Sequence, residues 1–265
     1  MSETTGLLSV KLGPLGSLVK SEARWTDEYP AWQQYADEFE ELLNWTKAKG
    51  RWSSYLGALQ GPNSQRDSAL MEIRVAKHLE SSGFPVVDWK PRGAAANEGE
   101  YTVQGQSRQR IFVEVKSPGW EGEVSEVERR AGRLAELKHK DLEARFVAPW
   151  ERIQFAVDKA YKKFRGDTPN LLIIADDLFI SLQHGTELHV GQALYSNLRT
   201  HPGYFTHQRY DKLGGVGIFW IDGNGANVQY YMRVFLNPNA LNETALSLDM
   251  KQRFRAEILD PNNMG

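Results

Sequence analysis

The sequence predicts a mixed α/β fold, a central sheet flanked by helices, preceded by a helical extension. Three observations point there. A helical pattern over residues 68–84 (SALMEIRVAKHLESSGF) leads into two short strands joined by a hairpin signal. A second helical stripe follows, carried by Ile153, Val157, Ala160, Tyr161 and Phe164. It delivers the chain to NLLIIADDL, an almost wholly apolar run of the kind that forms strands buried on both faces.

Taken in order, residues 1–25 have weak periodicity and read as an extended arm. Over residues 26–48, Trp32, Tyr35, Phe39, Leu42, Leu43 and Trp45 recur every three to four positions, which predicts an amphipathic helix. A short helix follows over 52–59, ended by Gly61-Pro62. The helix over 68–84 has Asp67 or Ser68 to cap its start and Gly83 to close its end. Residues 85–89 read as a strand and 92–98 as a turn region. Residues 100–104 and 109–117 read as two strands across a four-residue turn containing Gly105, and Pro118-Gly119 stops the second. A long charged helical region leads to the Ile153 stripe. Late in the chain, GGVGIFWI and NVQYYMRVFLNP flank Asp222-Gly223-Asn224-Gly225, a second hairpin signal, and the tail from Asn237 is expected to be partly helical. The expected division is an arm and helical extension over 1–62, an α/β core with its C-terminal hairpin over 63–236, and a tail over 237–265.

Composition narrows the function classes. No cysteine is present, so disulfides and thiolate zinc sites are excluded. The first residues lack a secretory pattern and no apolar run approaches the roughly 18 residues that cross a bilayer, so a cytoplasmic protein without membrane attachment is expected. The net charge of −2 is not that of a polycation, but a nucleic-acid enzyme needs only a local basic surface. Residues 129–165 offer one, with eleven Lys and Arg against five Asp and Glu, although a solvated helical surface reads the same way.

An acid-x-Lys triplet carries little information alone. Four occur, starting at Asp88, Glu114, Glu136 and Asp249, and short motifs of this kind arise readily by chance. Glu114-Val115-Lys116 differs in its setting at the end of an apolar strand, where alternation puts Glu114 and Lys116 on one face. If Gln104 pairs with Gln109, Glu100 falls opposite Val113 and beside Glu114, within one residue of register. Two carboxylates about 4 Å apart repel by roughly 4 kcal/mol at an intermediate effective dielectric. A divalent cation relieves that repulsion, and hard carboxylate oxygens suit magnesium or manganese. Glu72 shares a helical stripe with Ala69, Ala76 and Leu79, and an acid on an apolar face needs a metal, an arginine or the rim of the core to tolerate it.

These segments resemble the PD-(D/E)XK nuclease superfamily, the restriction-endonuclease-like fold, over about residues 68–175. The Glu-x-Lys strand is the sharpest element, and the rest is order and spacing. The resemblance implies Glu114 as a metal ligand and Lys116 as the group that orients an attacking water. It implies Glu100 where the family usually has an aspartate after a proline, Glu72 as the first-helix acid, and Gln154 as a supporting polar residue. Gly99-Glu100 replaces the usual proline–aspartate pair, and Glu98 competes for the same role. The implied activity is magnesium- or manganese-dependent hydrolysis of phosphodiesters, with DNA the expected substrate ahead of RNA. The alternative is an inactive relative that only binds nucleic acid or a partner.

Other signals have bland readings. The histidines, at 78, 139, 184, 189, 201 and 207, form no helical His-Glu-x-x-His pattern. Gly214-Gly215-Val216-Gly217 lacks the lysine and hydroxyl of a phosphate loop and reads as the start of a strand. Ser117 has no histidine and acid in context to form a triad. Trp120 could stack a base or cover a core edge. Trp25, Trp32, Trp45 and Trp52 read as core of the extension, with a homodimer surface through the N-terminal helices as the alternative.

Overall fold

The structure, a computed structural model, describes residues 10–22, 33–61, 63–117, 148–176, 185–222 and 227–260. The charged region and Trp120, the 222–225 turn beyond Asp222, Trp25, Trp32, His139 and His184 lie outside the described residues. Two compact units emerge, one of residues 1–69 with 223–229, the other of residues 70–222 with 230–265.

The first unit holds helices α1 (Pro14–Glu22), α2 (Gln33–Ala48) and α3 (Trp52–Leu59). The extended arm expected over 1–25 is corrected here, because residues 14–22 are helical. The reason is remote in sequence: the Glu40 carboxylate of α2 accepts from Leu15 N (3.0 Å) and Gly16 N (2.7 Å) and satisfies amide donors at the start of α1. The predicted α2 stripe is buried through Tyr35, Phe39, Leu42 and Leu43, whereas Trp45 and Trp52 are half-buried rather than core.

The next helix, α4 (Asn63–Ser81), starts about a turn earlier than Asp67 or Ser68, so neither residue caps it. It ends where expected. Gly83 takes a left-handed φ of 91° while Ser82 N and Phe84 N donate back to the last turn.

The second unit is built on one six-stranded sheet in sequence order: β1 (Val86–Trp89), β2 (Tyr101–Gln104), β3 (Arg110–Lys116), β4 (Asn170–Asp176), β5 (Gly215–Asp222) and β6 (Gln229–Leu236). β1, β2 and β3 pair antiparallel, whereas β3, β4 and β5 pair parallel, so the sheet is mixed. β4 lies in its middle, as its apolar run predicts. The β2–β3 register is one residue off the expectation, with Gln104 opposite Arg110 and Tyr101 opposite Val113. The turn holds one more residue than the four predicted, and Arg108 enters the left-handed region at φ 62° to close it. Nothing in an arginine announces that conformation.

Helix α5 (Pro149–Tyr161) opens with proline at its first position, and the Glu151 carboxylate accepts from Ala148 N at 3.1 Å. Its stripe of Ile153, Ala156, Val157 and Ala160 packs with Phe112, Leu172, Ile174, Val216 and Ile218. On α4, His78 packs against Phe219 of β5 and Tyr230 of β6. After β4 come α6 (Thr186–Val190) and, near the end, α7 (Leu248–Arg253), where Ser247 Oγ accepts from Met250 N. Gly214, just ahead of β5, must be glycine because a Cβ there would meet the Thr244 carbonyl oxygen at 2.3 Å, a packing reason that needs no phosphate.

Candidate functional site

β3 alternates, so Phe112, Glu114 and Lys116 share one face. Phe112 faces the α5 core, and Glu114 beyond it on the same face is fully buried. Burying a carboxylate needs compensation, and two ammonium groups supply it. Lys116 Nζ lies 2.5 Å and Lys163 Nζ 2.6 Å from Glu114 Oε1. Both contacts are ionic but outside hydrogen-bond geometry, and Oε2 has no hydrogen-bond partner. The most buried acid of the site therefore keeps an unsatisfied acceptor.

Glu100 stands next. Its backbone N–H donates to the Val113 carbonyl at 3.1 Å, immediately ahead of the Tyr101–Val113 pair, which brings Glu100 level with Glu114. The one-residue register correction therefore tightens the expected juxtaposition. Lys163 Nζ is 4.0 Å from Glu100 Oε1, and Lys90 Nζ donates to Glu100 Oε2. Lys90 also reaches Glu72 Oε2 at 3.4 Å. The six side chains alternate in charge along one line: Lys116, Glu114, Lys163, Glu100, Lys90, Glu72.

The turn before β2 sets this arrangement. Ala94 N donates to the Lys163 carbonyl at 2.9 Å, which ties residues 92–98 to the end of α5 and brings Lys163 beside the strands. Gly99 lies against the Phe112 ring, where a Cβ would sit 2.3 Å from Cζ. That contact explains why a proline cannot precede the acid at position 100 in this chain.

Burial pushes the Glu72 carboxyl up from 4.5 to about 7, aided by the negative charge of Glu100 and a hydrogen bond between the two acids, and opposed by Lys90. Burial lowers the Lys90 ammonium, but Glu72 and Glu100 outweigh it and leave the group above its ordinary value.

Of the expected residues, Glu72, Glu100, Glu114 and Lys116 come together. Gln154 does not join the line, since its amide donates to the carbonyls of Ala193 and Pro202. Glu98 is exposed and sits in an isolated backbone bridge with Arg92. Lys90 and Lys163 were not singled out from the sequence as site residues. Lys90 ends the Asp88-Trp89-Lys90 triplet set aside as chance, and Lys163 was one of the basic residues of 129–165. Among the described histidines, His78 is held in an aromatic pocket and His201 stacks on Trp150.

Chemically, three glutamates offer the hard oxygen donors that magnesium or manganese takes, and Glu114 Oε2 is a buried acceptor without a partner. The chemistry of these donors therefore suits such an ion. In the present arrangement the lysines supply the positive charge, and among the described residues no three His, Asp or Glu side chains form a ligand group by themselves. Comparison with protein-family models, with curated proteins and with solved structures returns no match to this chain.

Proposed function

We propose that this protein is a divalent-metal-dependent nuclease of the restriction-endonuclease-like type, with DNA as its substrate. The observation that carries the reading is the buried Glu114, with Lys116 beside it, level with Glu100 at the start of the neighbouring strand. The element order supports it as well: helix α4, three antiparallel strands, helix α5, then β4 parallel to β3.

Glu72, Glu100 and Glu114 would hold magnesium or manganese, which when bound supplies charge to polarise a phosphate and acidify water. The protein's own groups do the rest. The Lys116 side chain is a quarter exposed, open enough to reach a phosphate oxygen while Glu114 fixes its position. It orients the attacking water and balances negative charge as phosphorus gains its fifth oxygen. Lys163 is more enclosed and holds Glu100 and Glu114 in one orientation. Burial of Glu114 lowers the local dielectric, so each of these interactions is stronger than in water.

The test is a time course on plasmid, linear and single-stranded DNA and on RNA, in magnesium, manganese or chelator. Metal-dependent cleavage that disappears in Glu114→Ala and Lys116→Ala, both still folded, supports the nuclease. Cleavage undiminished in purified Lys116→Ala sinks the assignment. One observation favours a second reading: three glutamates already face three lysines, so the site is charge-balanced without a metal. In that reading the protein binds nucleic acid without cutting it, and wild type would retain DNA on a gel shift with no cleavage in any metal.

A further inference from the structure

The residue that stands out beyond this reading is Lys90. It follows β1 in a left-handed conformation, φ 55°, which a side chain with a Cβ adopts only under strain. The strained backbone is held by its own N–H, which donates to the Glu100 carbonyl at 2.9 Å. In that pose the ammonium bridges Glu72 and Glu100. Lys163 and Lys116 differ from it. They serve the fully buried Glu114 and are mostly enclosed, whereas the Lys90 side chain is about half exposed. It can leave the carboxylates for water without crossing packed protein.

We infer that Lys90 is a resident counter-cation occupying the position between Glu72 and Glu100 that a divalent ion takes, and that it must swing out for the ion to bind. The inference rests on the metal-dependent reading above and adds a control to it. Once both acids are ionised they repel, and the lysine's positive charge between them keeps the metal-free pocket assembled. The same charge competes with the ion and raises the concentration at which the site fills.

The experiment measures binding and not turnover. Manganese is titrated by calorimetry into the full chain as wild type, Lys90→Gln and Lys90→Arg. Lys90→Gln removes the competitor and should bind manganese at least tenfold more tightly, about 1.4 kcal/mol. Lys90→Arg keeps the charge and should stay near wild type. Binding by wild type with no gain in Lys90→Gln overturns the Lys90 inference alone. No binding by any of the three overturns the metal reading and this inference with it. A second measurement needs no variant. An amine-reactive label is applied to wild type with manganese or with chelator, and modification at position 90 is read by mass spectrometry. Labelling should rise several-fold with manganese as the ammonium is released, and labelling that is unchanged or lower overturns the inference.

Discussion

Replacing Glu72 with glutamine should make the metal-free protein more stable while weakening its hold on metal. The carboxyl is raised from 4.5 in the unfolded chain to about 7 in the fold, first by burial and then by Glu100. The folded state therefore holds the proton more tightly, and the stability this confers is present below pH 4.5 and lost as pH rises through 7. At 1.36 kcal/mol per pH unit the full loss is roughly 3 kcal/mol, and water reaching a side chain one-fifth exposed reduces it to about 1–3 kcal/mol. Glutamine keeps the shape and cannot ionise. Urea unfolding in chelator should show Glu72→Gln ahead of wild type by that amount at pH 8.5, and by under about 1 kcal/mol at pH 5. With magnesium added the order should narrow or invert, because only wild type retains all three oxygen donors. A variant less stable than wild type by the same margin at both pH values would refute the reasoning, since Glu72 would then act chiefly as an ionised partner of Lys90.

Three further outcomes follow from the same geometry. Lys163→Met should cost on the order of 3 kcal/mol in urea unfolding, because Glu114 is fully buried and loses one of two counter-charges; a loss under about 1 kcal/mol would mean Lys116 suffices. Gly99→Ala should destabilise by about 1–3 kcal/mol and displace Glu100, since the new methyl must push the Phe112 ring, and manganese calorimetry should weaken in parallel. His78 is lowered from 6.5 to about 4, by burial first and then by the charge of Arg253, so the stability it contributes is full above pH 6.5 and lost as pH falls through 4. His78→Phe should flatten the acid limb of stability between those values by up to roughly 3 kcal/mol; an unchanged limb would place the acid sensitivity elsewhere.

The legibility of the site differs residue by residue. Glu114 and Lys116 could be read because strand alternation is a local rule, and the apolar residues around them mark the strand. Glu100 could be placed to within one position, and the miss came from Arg108, whose left-handed φ lengthens the turn. Glu72 was visible as an acid on an apolar stripe. Lys90 sat in an acid-x-Lys triplet like three others, and only its backbone strain and its place after β1 separate it from them. Lys163 was one basic residue among eleven in its segment until Ala94 pinned the end of α5 to the turn before β2. The α1 helix was missed for a related reason, its first amides being satisfied by Glu40, some 25 positions away.

The sequence by itself determined most of the elements and the acids, because periodicity and apolar runs act over a few residues and are written in consecutive positions. Apart from Lys116, tertiary structure alone decided which cations those acids meet. Ion pairing depends on distances of a few ångströms between groups as far as 63 residues apart, and these distances are set by turn conformation and by where a helix ends against a sheet.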